Sequence, residues 1–120
     1  MPLQRPELRR GRIIWATLRD HNGIEKHRPA VVLTPTDDIC EDEPIVVVAV
    51  TTTFADPPPA DHVLLPWDPQ GRTLTKLRKR SAAVLSWIVE VLPNDIVECQ
   101  GDLPAPLVTR ILKSLDQQRP

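Results

Sequence analysis

Residues 44–53 read PIVVVAVTTT. From Ile45 to Val50 every side chain is apolar and five of the six are β-branched, a composition that favours a pleated strand over a helix. The run is too short to span a bilayer. Because it is continuous and does not alternate, both of its faces are expected to be covered, either as a central strand or as a strand curled into a barrel. Polarity returns abruptly at Thr51, so the strand ends at an accessible rim.

Working outward, PAVVLT (29–34) reads as a preceding strand with Pro29 at its first position, where a missing N–H is tolerated. RIIWATL (12–18) reads as the first strand, joined to it by a polar loop from Arg19 to Arg28. On the other side, FADPPPAD forms a stiff connection to a fourth strand, HVLLPW, and DPQGR forms a turn with Gly71 free to take a positive φ. SAAVLSWIVEVL (81–92) is a long or bent fifth strand, which Pro93-Asn94-Asp95 turns into IVECQG. Only PLVTRILKSLDQ has helical spacing: Leu107, Val108, Ile111, Leu112 and Leu115 form one apolar stripe. Proline at 104 and 106 places the helix start there. The fold class expected is mainly β with a C-terminal helix, a small barrel or half-barrel closed by that helix.

The whole chain, residues 1–120, fits one domain: 120 residues bury a real core but do not divide into two. Fourteen prolines against four glycines imply short elements joined by stiff turns. No apolar stretch has the length of a signal peptide or a membrane span, so a soluble, cytoplasmic protein is expected. Cys40 and Cys99 match no metal-binding spacing with the histidines and read as reduced thiols. The formal charge of −1 conceals a division: residues 1–28 carry a net +4, residues 29–71 a net −8 and residues 72–120 a net +3. The acidic stretch DDICEDE (37–43) lacks the spacing of a calcium loop and reads as solvated. The basic stretch holds Arg72, Lys76, Arg78, Lys79 and Arg80 with no acid among them. Brought beside the basic amino-terminal part, it forms the positive surface that a polyanion needs.

Glu25, Lys26, His27 and Arg28 crowd the mouth of the second strand. A carboxylate and an imidazole are proton-exchanging groups, and a guanidinium pairs with phosphate through a fork of donors. Together with the opening Arg10-Gly11, the Gly23-x-Glu25 loop, the run Arg28-Pro29-Ala30-Val31-Val32-Leu33 and the pair Thr51-Thr52, they make the chain resemble the MazF/PemK toxins of type II toxin-antitoxin systems over nearly its full length. The resemblance implies an SH3-like barrel, usually homodimeric, that cleaves single-stranded RNA without a metal or cofactor and is silenced by a cognate antitoxin. Operator DNA would be met only through the antitoxin complex. It points to Arg28, Glu25, His27 and Thr51 as catalytic residues, with either Glu25 or His27 as base or acid. Thr52, Trp67 and the five basic residues of 72–80 would hold RNA. The chemistry those residues suit is attack of a ribose 2′-OH on its own phosphate, which leaves a 2′,3′-cyclic phosphate.

The sequence departs from the family at the fifth strand: Ser86-Trp87 replaces a polar pair that usually contacts RNA, Val89-Glu90 replaces a basic and a small polar residue, and Arg80 replaces an acid. Trp15, within the first strand, reads as core. The rival reading is a CcdB-like toxin that binds gyrase and hydrolyses nothing, or a catalytically silent SH3-like binding module, because the same small barrel serves each.

Overall fold

A computed structural model describes residues 8–117 of the chain; the ends of the expected 1–120 domain lie outside the described residues. Six strands and one helix follow the expected order: β1 Arg12–Arg19, β2 Glu25–Val32, β3 Ile45–Thr51, β4 His62–Leu65, β5 Ser81–Val91, β6 Ile96–Asp102 and α1 Ala105–Gln117. They form one antiparallel sheet in the order β4-β5-β3-β2-β1-β6. PIVVVAVT thus lies inside the sheet, paired on both sides.

The covering of both faces explains the unbroken apolar runs. One face of β1–β3 presents Ile13, Val31, Val48 and Val50, and these pack with Leu85 and with Val108 and Ile111 of α1. The other presents Ile14, Ala16, Ala30, Val32, Val47 and Ala49, packed with Leu8, Val91 and Ile96. Enclosing both faces with a single sheet requires strong curvature. Register shifts between Val48 and Val50 against β5, and at two points of β1 against β6, supply the bends. The sheet remains open, with β4 and β6 as its edges.

The second strand begins four residues earlier than the sequence suggests. Residues 25–28 are paired with β1 from Ala16–Arg28 to Arg19–Glu25, so the expected ten-residue loop shrinks to a tight hairpin. The Asp20 carboxylate closes it by accepting from the Asn22 and Ile24 backbone N–H groups, and those bonds, Ile24 foremost, hold the Asp20 pKa below its usual value. Pro29 consequently lies within β2. It is tolerated because the pairs with β3 start only at Ala30, leaving residues 25–29 paired with β1 alone and open on their β3 side.

Two glycines set the distances between layers. At Gly11 (φ +89°) a Cβ would press on Val108 Cγ2 at 3.1 Å, so glycine lets α1 dock. At Gly101 (φ +87°) a Cβ would overlap the Thr75 carbonyl. The basic 72–80 segment crosses β6 there and is tied by the Asp102 N–H donating to Leu74 O at 3.0 Å. Arg9 and Arg12 both bind the Asp102 carboxylate, at 2.9 and 3.2 Å, joining the start of β1 to the end of β6.

Candidate functional site

Side chains alternate along a strand, so His27 and Arg28, adjacent in sequence, serve opposite faces of β2. His27 is exposed and stacks on Trp15 of β1, with ring centroids 5.3 Å apart and planes 24° from parallel. Trp15 is therefore not a core residue. It lies on the face of Ile13 but beyond the reach of α1, at the edge of an open cavity of about 490 Å³. The floor of the cavity is Trp15, Pro29, Val50 and Leu77; its rim carries Thr52, Lys76, Arg78 and Lys79. Lys76 holds a left-handed backbone (φ 62°), unusual for a long side chain. The turn is fixed by Lys76 N–H donating to Thr73 O at 3.1 Å and by Thr75 Oγ1, which donates to Pro66 O at 2.7 Å and accepts from Leu77 N–H. The two basic parts of the sequence do meet here, through His27, Arg28 and the 76–79 turn.

Arg28 borders the same cavity, but its guanidinium turns to the other face and lies over the Trp87 indole, 5.1 Å from the ring centroid. Trp87 is oriented by its own Nε1–H, which donates to Arg19 O at 3.2 Å. Arg28 Nε is buried and has no hydrogen-bond partner. An unsatisfied buried donor costs about 1–3 kcal/mol, whereas a cation–π contact returns about 0.5–2 kcal/mol. The guanidinium is thus held by the indole face, with no hydrogen bond at Nε. Two residues along each strand from the Ala30–Ala49 pair stand Arg28 and Thr51, so the register puts both on the Trp87 face. Thr51 Oγ1 exchanges hydrogen bonds with the Thr53 carbonyl and N–H, at 3.3 and 3.2 Å, in a local turn.

The remaining candidates are dispersed. Glu25 is paired with Arg19 at 2.7 Å and borders a separate hollow with Glu90 and Asp95. Arg80 lies over Phe54, 4.2 Å from the ring centroid, and 3.4 Å from Asp56. Arg72 is largely exposed and 3.9 Å from Asp68. Trp67 is exposed and lines none of the described cavities. Ser86 Oγ donates to Asp61 Oδ2 at 2.8 Å, while His62 Nδ1 lies 2.8 Å from Asp61 Oδ1. Ser86 first and His62 second hold the Asp61 carboxyl below its ordinary pKa, and the pair pins the end of the connection after Thr51. Residues that sequence reasoning did not single out are Glu98 and Gln100 of β6, which face the cavity beside Trp15. Their placement depends on the long-range pairing Trp15–Glu98, for which no local signal exists.

A strongly curved six-stranded sheet sealed by one helix, with cations gathered at one mouth, defines a small SH3-like half-barrel. The chain belongs to the PemK-like, MazF-like toxin family of type II toxin-antitoxin systems, whose sequence profile matches residues 9–118. Similar solved structures agree on the fold. MazF (Form-I) from Deinococcus radiodurans has a TM-score of 0.70 at 16% identity, covering 92% of this chain and 94% of that one. A MazE-MazF complex (Form-III) from the same organism gives 0.67 at 16%, with 92% and 94% covered. The Mycobacterium tuberculosis toxin MazF-mt6 gives 0.64 at 18%, with 88% and 93% covered. No curated protein matches the sequence.

Proposed function

We propose that this toxin is an endoribonuclease that cuts single-stranded RNA with its own side chains and no metal, and that a cognate antitoxin and a second copy of the chain are its protein partners. The observation that carries the reading is Arg28: a guanidinium with a buried, unpartnered Nε, on the same strand-end face as Thr51. Among the described residues it has no carboxylate within ion-pair distance, although its charge helps to keep the Asp20 carboxyl ionised. A gyrase-binding surface has no need of such a group.

In this mechanism Arg28 and the Thr51 hydroxyl hold the scissile phosphate. The 2′-oxygen attacks phosphorus as its proton leaves to a protein base; the bond to the 5′-oxygen breaks, and that oxygen takes a proton. Glu25 and His27 are the candidate proton carriers: both are exposed, Glu25 is paired with Arg19, and His27, stacked on Trp15 on the face opposite Arg28, has to reach the phosphate around the open edge of β2. Charge builds on the phosphate oxygens as the new bond forms, and a fixed donor in a dry setting acts most strongly at that moment. Lys76, Arg78, Lys79 and Thr52 steer the strand to the rim, with Arg72, Arg80 and Trp67 further out. The antitoxin partner is supported by the family; the second copy by Ile88, 39% exposed, beside a groove lined by Val46, Leu112 and Leu115.

The test is incubation of the purified chain with single-stranded RNA in excess EDTA, with analysis of the new ends. Fragments carrying a 2′,3′-cyclic phosphate and a 5′-hydroxyl are expected. Intact RNA, or cutting that appears only on addition of a divalent metal, overturns the reading.

A further inference from the structure

The cavity beside Trp15 differs from a plain cationic groove in one respect: a carboxylate stands on its wall. Glu98 is paired across the sheet with Trp15 and is exposed, and its side chain makes no ion pair or hydrogen bond among the described residues. Its neighbour on the same wall, Gln100, adds an amide. Facing them are the Trp15–His27 ring pair and, at the rim, the ammonium and guanidinium groups of the 76–79 turn. Each part matches a piece of one nucleotide. Stacked rings receive a base of any kind, and the cations receive its phosphate. An acceptor-only carboxylate at the base edge demands a donor.

We propose that this cavity is a base-reading pocket for a nucleotide of single-stranded RNA whose base carries an exocyclic amino group, with Glu98 as the residue that sets the preference. Cytosine, adenine and guanine each present an amino group that a carboxylate accepts from. Uracil presents only an imide N–H between two carbonyl oxygens, which the carboxylate repels. The carboxylate also disfavours the other polyanion such cations attract, an acidic peptide. The proposal deepens the endoribonuclease reading and rests on it for the choice of RNA. It places base reading on the His27 face of β2 and the phosphate clamp on the Arg28 face, with His27 at the edge between them.

The test uses RNA that cannot be cut, so that base reading is measured apart from catalysis. Labelled 2′-O-methyl oligo(C), oligo(A) and oligo(U) are titrated with the full chain and with Glu98→Gln, an exposed position whose variant should keep the parent melting temperature. The parent should bind oligo(C) and oligo(A) about tenfold or more tighter than oligo(U). In Glu98→Gln the difference should fall to within about threefold, since an amide offers both donor and acceptor. Equal affinities in the parent, or an unchanged ratio in the variant, overturn the proposal, as does binding of a poly-glutamate peptide with no affinity for any of the RNAs. A chain that discriminates between these oligomers but cuts no RNA removes the endoribonuclease reading and leaves the pocket. A chain that cuts RNA but is indifferent to Glu98 removes the pocket alone.

Discussion

The two sides of β2 carry neighbouring residues into opposite settings. On the His27 side lies an open cavity, rimmed by cations on a fixed turn and walled by Glu98 and Gln100. On the Arg28 side lies a more enclosed aromatic contact, a half-buried guanidinium against a half-buried Trp87, with its Nε–H buried and unpaired. Open, hydrated and charged surroundings suit capture and reading of a polyanion, because interactions there are screened and adjustable. Closed surroundings suit stabilisation of a charge that appears only in a transition state. One strand, by alternating its side chains, can separate the two tasks by a single residue.

If that division holds, the largest effect belongs to the closed side. Arg28→Gln should lower turnover by about 10²–10³, with an unchanged melting curve; a loss below about tenfold would mean that the guanidinium meets no developing charge. Next comes the support of the open side. Gly101→Val drives a branched side chain into the Thr75 carbonyl and should displace the 72–80 turn, costing about 1–3 kcal/mol of stability by chemical denaturation and most RNA affinity. Parent-like stability would show that the crossing is looser than described.

A smaller effect is expected from Trp87→Leu, which removes the surface on which Arg28 rests. Turnover should fall by about tenfold, the kinetic equivalent of a cation–π contact worth about 1–2 kcal/mol. KM should stay put and Trp87→Phe should restore most of the rate; a change in KM alone would move Trp87 to the binding side. The smallest effect is on pH. Asp20 and Asp61 both have lowered carboxyl pKa values, from the Ile24 N–H foremost in one case and the Ser86 hydroxyl foremost in the other. Their contribution to stability is present above the unfolded-state carboxyl pKa and is lost as pH falls through the lowered folded values. Thermal melts from pH 6 downward should therefore show a larger loss of stability for the parent than for a chain in which these bonds no longer favour the ionised form. Asn22 and Ile24 supply theirs from the backbone, so Ser86→Ala is the practical variant: it should melt lower than the parent near pH 6 and lose less stability on acidification, the two curves converging at low pH.

Much of this architecture was legible because local chemistry and tertiary context agree. The apolar body of 45–50, the stripe from Leu107 to Leu115 and the prolines at 104 and 106 each say the same thing at short and long range. Where they disagree, reading along the chain fails. Glu25 to Arg28 are polar enough for a loop, yet β1 is long enough to pair with them, and hydrogen bonding across the hairpin prevails over composition. Trp15 has the character of a core residue, but α1 does not extend over it, which leaves it free to line the cavity. Of the charged cluster at the mouth, the residue types were visible and their directions were not. Strand alternation divides His27 from Arg28, and the Arg19 pair occupies Glu25. Glu98 and Gln100 carry no signal until β6 is laid against β1.

The separation of capture from chemistry is tested most directly by measuring, in parallel, affinity for uncleavable 2′-O-methyl RNA and saturated cleavage rate of normal RNA for Arg28→Gln and for Lys76→Ala/Lys79→Ala. The account predicts that Arg28→Gln binds within about threefold of the parent while cleaving at least about a hundredfold more slowly, and that the double lysine variant loses affinity but keeps its saturated rate. Loss of affinity and rate together in both variants would contradict it.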